Sequence, residues 1–157
     1  MPRARRRVWV RQGIMPLEKY RILIVDDSED DRLLLTRVLN KGAFCESIIC
    51  VEDGQMAIHY LSGTAPYDDR VRFPMPDVLL LDLKMPKVDG FDVLRWLMGQ
   101  KFPSLQIIVL SGSYLPEDIA KTLTLGADHY LIKGDPAKTV ESIESFLRTS
   151  HTVVQEG

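Results

Sequence analysis

Residues 78–94 read VLLLDLKMPKVDGFDVL, and the first five letters decide the architecture. Val78, Leu79, Leu80 and Leu81 leave no polar position to face water, and the run stops on a carboxylate, Asp82. A strand with one wet face alternates apolar and polar residues. An unbroken short apolar run ended by a turn belongs to a strand covered on both faces, as in a parallel sheet sandwiched by helices. Ile22-Leu23-Ile24-Val25, Ile107-Ile108-Val109-Leu110 and Tyr130-Leu131-Ile132 repeat the pattern, and a fifth run, Ile48-Ile49-Cys50-Val51, lies between the first of these and Val78.

The segments between the runs carry helical spacing. Leu34, Leu35, Val38 and Leu39 predict one apolar face, entered through Ser28 as N-cap with Asp31 three residues on. Phe91, Leu94, Leu97 and Met98 predict a second face, and Val140, Ile143 and Leu147 a third. Weaker helical segments lie near 54–62 and 116–125. Gly126 after Leu125 marks a helix end, and Asp135-Pro136 a cap with proline in the first turn. Five strands alternating with five helices predict a doubly wound α/β domain with right-handed crossovers. Residues 63–76 (GTAPYDDRVRFPMP) break the rhythm with three prolines and predict an enlarged loop before the third strand.

A length of 157 residues, 45% of them hydrophobic and 27% charged, suits one globular domain and not a disordered chain. The expected layout is a basic, flexible extension over 1–19, the domain over 20–149 and a tail over 150–157, frayed from His151 onward. Arg3, Arg5, Arg6, Arg7 and Arg11 crowd the first fourteen residues, which hold no acid; the rest carries 15 basic against 22 acidic residues. An acidic body makes nucleic acid a poor partner. The basic start reads either as an arm for an acidic partner or membrane surface, or as an unstructured extension ahead of a true start at Met15, and the second reading is preferred. Val8-Trp9-Val10 is too short for a signal-peptide core, and no run approaches the ~20 apolar residues of a membrane span. Cys45 and Cys50, five apart in a strand, point to opposite faces and should not pair; without CxxC or a nearby His they suggest no zinc site. Two buried thiols in a reducing cytoplasm are expected.

Ligands of open α/β sheets bind beyond the carboxyl ends of the strands. The first strand runs into Asp26-Asp27-Ser28-Glu29-Asp30-Asp31, the third ends at Asp82, the fourth at Ser111-Gly112-Ser113 and the fifth at Lys133. Carboxylates packed at ~4 Å repel by roughly 4 kcal/mol per pair at an effective dielectric near 20, so one takes a proton or a hard cation sits among them. Mg²⁺ suits such a cluster, since it favours one or two carboxylates plus water and phosphate oxygens. Asp82 could then attack phosphorus as a carboxylate nucleophile, with Lys133 as a compact cation for phosphoryl oxygens and Ser111 as a hydroxyl donor. An acidic first turn lacking GxGxxG or a Walker lysine loop argues against nucleotide binding. Glu29, Asp30 and Asp31 read as a solvated helix start. Ser113 reads as a turn residue, and Met56, Met85 and Met98 as packing residues.

These residues together resemble the receiver domain of two-component response regulators. ILIVDDSEDDRLLL is similar to that family's first strand, acidic pair and first helix. VLLLDLKMPKVDGFDVL is similar to its phosphoacceptor strand, IIVLSGS to the strand ending in a hydroxyl, and LGADHYLIK to its last strand with an aromatic and a lysine. The likeness covers about residues 20–148, with four motifs in order. It implies a flavodoxin-like sheet of order 2-1-3-4-5. Asp82 would be the phosphoacceptor, and Mg²⁺ would be held by Asp26, Asp27, Asp82 and the backbone carbonyl of Lys84. Ser111 and Tyr130 would be the switch pair and Lys133 the phosphoryl-binding lysine. The implied donor is a sensor histidine kinase or histidine phosphotransfer protein, not His59, His129 or His151 of this chain, which read as surface or packing residues. Homodimerisation through the fourth helix, fifth strand and fifth helix is a further implication. The loop around Ala65-Pro66-Tyr67-Asp68-Asp69-Arg70 resembles the small regulators that partner phytochrome-type kinases.

Two positions depart from the family. Gly134 follows Lys133 where proline across a cis bond is usual; a non-proline cis bond costs ~3–4 kcal/mol, so glycine must meet the loop's shape another way. Lys84 is a long cation where a smaller residue is common. Two other functions compete. A haloacid-dehalogenase-type hydrolase would need an aspartate at position 84 and would turn over phosphate esters. A receiver-like docking module would never be labelled on Asp82. With no output domain following, the signal is expected to leave through a binding surface.

Overall fold

The unbroken apolar runs become the strands of one parallel sheet. In the computed structural model of the chain, residues 7–10 and 14–152 are described, with side chains over 18–150. Tyr20–Val25 (β3), Cys45–Val51 (β4), Val78–Leu81 (β5), Gln106–Ser111 (β6) and His129–Ile132 (β7) lie in the order β4-β3-β5-β6-β7, the expected 2-1-3-4-5. Between them run Glu29–Leu39 (α1), Gly54–Ser62 (α2), Gly90–Met98 (α3), Pro116–Thr124 (α4) and, last, Pro136–Thr152 (α5). Within the basic extension, Arg7–Val10 (β1) and Ile14–Glu18 (β2) pair as a separate antiparallel sheet. The arginines at 3, 5, 6 and 11 lie outside the described residues, as does the tail beyond Thr152.

Alternation along the strands splits the core in two. Leu23, Val25, Leu79, Leu81 and Val109 point to one side, where Ala57, Tyr60 and Leu61 of α2 and Val93, Leu94 and Leu97 of α3 cover them. Ile22, Ile24, Val78, Leu80, Ile108 and Leu110 point to the other, under Leu35 and Leu39 of α1 and Val140, Ile143 and Leu147 of α5. Removing a fully buried leucine from water contributes roughly 1.5–3 kcal/mol, so these two layers dominate the stability.

Several expectations are corrected. Leu34 is 47% exposed, because Leu35, Val38 and Leu39 complete the inward stripe of α1 and leave Leu34 on its margin. Met98 is 62% exposed at the last position of α3, where the chain is leaving the helix. The cysteines are not both buried: Cys45 is half-buried and Cys50 exposed, because β4 is an edge strand. The other edge, β7, is also only partly covered, so Tyr130 is half-buried.

The enlarged loop is a fastened cap. Tyr67 is buried and packs on Tyr60 and Phe73 with ring centroids 5.1 Å apart in each pair, and those two rings lie 6.0 Å from each other. The Arg70 guanidinium donates to the carbonyls of Tyr60 at 2.8 Å, Leu61 at 3.0 Å and Phe73 at 3.2 Å. It thereby satisfies the Leu61 carbonyl, which the end of α2 leaves open.

Candidate functional site

Each strand that ends at the carboxyl rim delivers its side chain for a local reason. Asp26 follows β3 and Asp82 follows β5, and both stay buried, at 5% and 6% exposure, because neighbouring strands flank them. An Asp26 carboxylate oxygen accepts from the Ser28 backbone N–H at 2.9 Å, and the Asp26 carbonyl accepts from Arg32 at 2.6 Å. Ser28 caps α1 by accepting from the Asp31 N–H. Asp27 is exposed beside them. Asp26, Asp27 and Asp82 each offer one oxygen within 4.8 Å of the other two, the one such acidic cluster among the described residues.

Lys133 reaches across from the end of β7. Its ammonium donates to Asp26 Oδ2 at 2.7 Å, Asp31 Oδ2 at 2.9 Å and Asp82 Oδ2 at 3.3 Å. Glycine at 134 does not displace it: Ala65–Pro66 is the one cis peptide bond among the described residues, and an exposed Gly134 follows Lys133 in trans. Burial alone would lower the lysine pKa, but hydrogen bonds to Asp26 and Asp31 and the charges of Asp82 and Asp26 outweigh it and raise it. Burial pushes Asp82 from 3.8 up to about 6; Lys133 opposes that rise, Asp26 adds to it, and a backbone N–H of Lys84 donated to Asp82 lowers it again. Three converging carboxylates against one ammonium are underneutralised, and their small all-oxygen set fits a hard divalent cation.

The raised Asp82 pKa makes stability depend on pH with a definite sign. The folded value, about 6, exceeds the ordinary 3.8, so protonation favours the native state. The stability is present below pH ~4 and lost as pH rises through about 6, up to roughly 3 kcal/mol in all. Asp82→Asn, which cannot ionise, is therefore expected to melt higher than the parent in metal-free buffer at pH 7.5. The gap should narrow toward pH 4 and also on adding Mg²⁺; thermal melts of the two proteins across pH check it.

Ser111, fully buried at the end of β6, accepts from the Ser113 N–H at 3.3 Å and makes no hydrogen bond to Asp82. Tyr130 does not reach the carboxylates either; its hydroxyl donates to the Ser113 carbonyl at 2.8 Å. Ser113 is more than a turn residue. It is buried, donates to Asp118 at 2.6 Å and accepts from the N–H of Leu115, the residue that opens α4 without a side-chain cap. The Lys84 side chain is exposed, two residues beyond Asp82. His59 bonds Gln55 on α2, and His129 stacks on Phe146 at 4.6 Å, both away from the carboxylates; the His151 side chain lies outside the described residues. Asp31 was missed as a site residue: a first-turn helix acid looks solvated, and nothing in sequence announces a partner 102 positions away.

Residues 22–144 match the response regulator receiver domain family. The response regulator Rcp1 of Synechocystis sp. is 32% identical over 130 residues, covering 80% of this chain and 86% of that protein. A crystal structure of the Mn²⁺-bound form of response regulator Rcp1 superposes with a TM-score of 0.72 at 32% identity, covering 82% of this chain and 94% of that one. The phosphorylated cyanobacterial phytochrome response regulator RcpA gives a TM-score of 0.72 at 30% identity, over 82% and 93% of the respective chains. Among the described residues, no helix is long and apolar enough to cross a membrane.

Proposed function

This chain belongs to the response regulator receiver domain family, and from that premise we propose that it is a switch phosphorylated on Asp82 in a Mg²⁺-dependent reaction. The observation that carries the reading is the convergence of Asp26, Asp27 and Asp82 with the Lys133 ammonium within 3.3 Å of the Asp82 carboxylate. An Asp82 oxygen attacks the phosphorus of a phosphohistidine on a sensor kinase or phosphotransfer protein. A P–O bond forms, the P–N bond breaks, and the imidazole leaves with the electron pair. Lys133 binds the transferred group's oxygens, since its charge already lies beside the nucleophile. Asp26, Asp27, Asp82 and the Lys84 carbonyl would hold the metal, which when bound would supply neutralising charge to the phosphoryl oxygens. Ser111 then donates its hydroxyl to the new group. Because Ser111 and Tyr130 are both tied to Ser113, that movement releases the tyrosine and alters the face of α4, β7 and α5. That face is the proposed output and homodimer surface of a cytoplasmic protein that signals by protein–protein contact and is not an enzyme toward other substrates.

Incubation with a small acyl phosphate, with and without Mg²⁺, tests the reading. An alkali-labile label that requires the metal is expected, whereas no label from any donor or kinase would favour a docking module. Multiple turnovers on a phosphate ester would favour a hydrolase, against which Lys84 stands where such enzymes need an aspartate.

Lys84 bears on the lifetime of the label. Its side chain is exposed two residues beyond Asp82, and we infer that it contacts the phosphoryl group or blocks the hydrolytic water. Lys84→Ala is expected to dephosphorylate roughly tenfold faster, the worth of one charged hydrogen bond of ~1.4 kcal/mol. Decay of pre-labelled protein after donor removal gives the rate, and an unchanged lifetime would exclude the contact.

A further inference from the structure

Asp31 is the one carboxylate on Lys133 that does not belong to the cation cluster. The ammonium lies closer to Asp26, at 2.7 Å, and Asp31, at 2.9 Å, than to Asp82, at 3.3 Å. A divalent cation shared by Asp26, Asp27 and Asp82 would withdraw negative charge from two of the lysine's three partners and repel the lysine itself. Asp31 alone would keep its full attraction. Its backbone is fixed, because its own N–H is bonded to the Ser28 cap in the first turn of α1, and from there its half-exposed carboxylate reaches the ammonium.

We propose that Asp31 is a positioning residue that tethers Lys133 at the rim while the metal occupies the cluster, so that the ammonium is in place when a phosphoryl group arrives. The inference rests on the phosphorylation reading above. Asp31 touches neither the metal cluster nor the phosphoryl group and acts only through the lysine. A lysine carries about 2 kcal/mol of rotamer freedom, so without the tether its long side chain spreads over solvent-facing rotamers.

The test is a mutant cycle on the full chain: the parent, Asp31→Asn, Asp31→Glu, Lys133→Ala and the Asp31→Asn/Lys133→Ala double variant. Initial labelling of Asp82 by a small acyl phosphate is followed in saturating Mg²⁺, with Mg²⁺ affinity measured separately by calorimetry. Asp31→Asn is expected to slow labelling about fivefold, ~1 kcal/mol of transition-state stabilisation, while Mg²⁺ affinity moves less than the rate. Asp31→Glu should recover most of the loss. In the Lys133→Ala background, Asp31→Asn should have no further effect. An equal slowing with and without Lys133 would reduce Asp31 to a helix-start acid and overturn the tether, as would a parental rate in Asp31→Asn. Should Lys133→Ala label too slowly to rank, the same cycle on thermal midpoints in saturating Mg²⁺ decides: coupling supports the tether, additivity overturns it. Failure of the parent chain to label at all would count against the phosphorylation reading instead, so the two failures are distinguishable.

Discussion

Asp82→Asn is expected to take no label from a small acyl phosphate or from a phosphorylated kinase, a loss of more than about a thousandfold in rate. The reason is chemical. A carboxylate oxygen is a competent nucleophile toward phosphorus, and the isosteric amide is not. The substitution keeps the shape of a side chain that is 6% exposed at the end of β5, so the sheet should stand. Because the amide also removes a buried charge, the variant should be at least as stable in metal-free buffer, which separates loss of chemistry from loss of fold. Intact mass after incubation with donor and Mg²⁺, before and after mild alkali, reads the outcome. A label of undiminished yield in the variant would place the chemistry on another residue.

Gly90→Ala is expected to be the most damaging single methyl that can be added near the site. A Cβ at Gly90 would stand 2.3 Å from the Asp82 carbonyl oxygen and 2.7 Å from the Leu83 Cα. Both are backbone atoms, so no side-chain rotation relieves the clash. The Gly90 N–H also donates to the Leu83 carbonyl at 2.9 Å, tying the start of α3 to the segment that carries Asp82. Separating them must move Asp82. Overpacking of this kind costs about 3 kcal/mol, which for a chain of this size lowers the thermal midpoint by roughly 6–12 °C. Labelling should fall by about tenfold or more even well below the midpoint, since a displacement near 1 Å is enough to spoil an in-line attack. Gly134→Ala is the control: a Cβ there meets nothing within 4 Å, and its midpoint should barely move. Equal melts and equal labelling for the two variants would show that the close approach at Gly90 is not required.

The site was legible wherever a residue's place follows from its own strand. Asp26 and Asp82 terminate apolar runs, and Lys133 follows the last of them, so the topology of a parallel sheet brings all three to one rim. Asp31, Ser113 and Arg70 were not legible, because each acts through partners that no local pattern specifies. Asp31 meets a lysine from the opposite end of the chain, Ser113 fastens the start of α4 through Leu115 and Asp118, and Arg70 turns back onto the end of α2. The misplaced burials on strands share one cause. Apolar periodicity shows that a face can be buried but not whether a neighbour lies there, and β4 and β7 each have only one.

By itself, then, the order of residues determined the strand and helix succession from Tyr20 onward, though not the pair of strands in the extension before it, and it determined the sidedness of the core and which acids stand at strand ends. These follow from periodicity and apolar burial acting within a few residues. Only the tertiary structure decided which strands became edges, which carboxylates share the Lys133 ammonium, and how closely α3 crowds the Asp82 backbone. The first two are matters of distance between segments far apart in the chain and the third of a turn folding back on its own strand, and all are settled by how the layers close on one another.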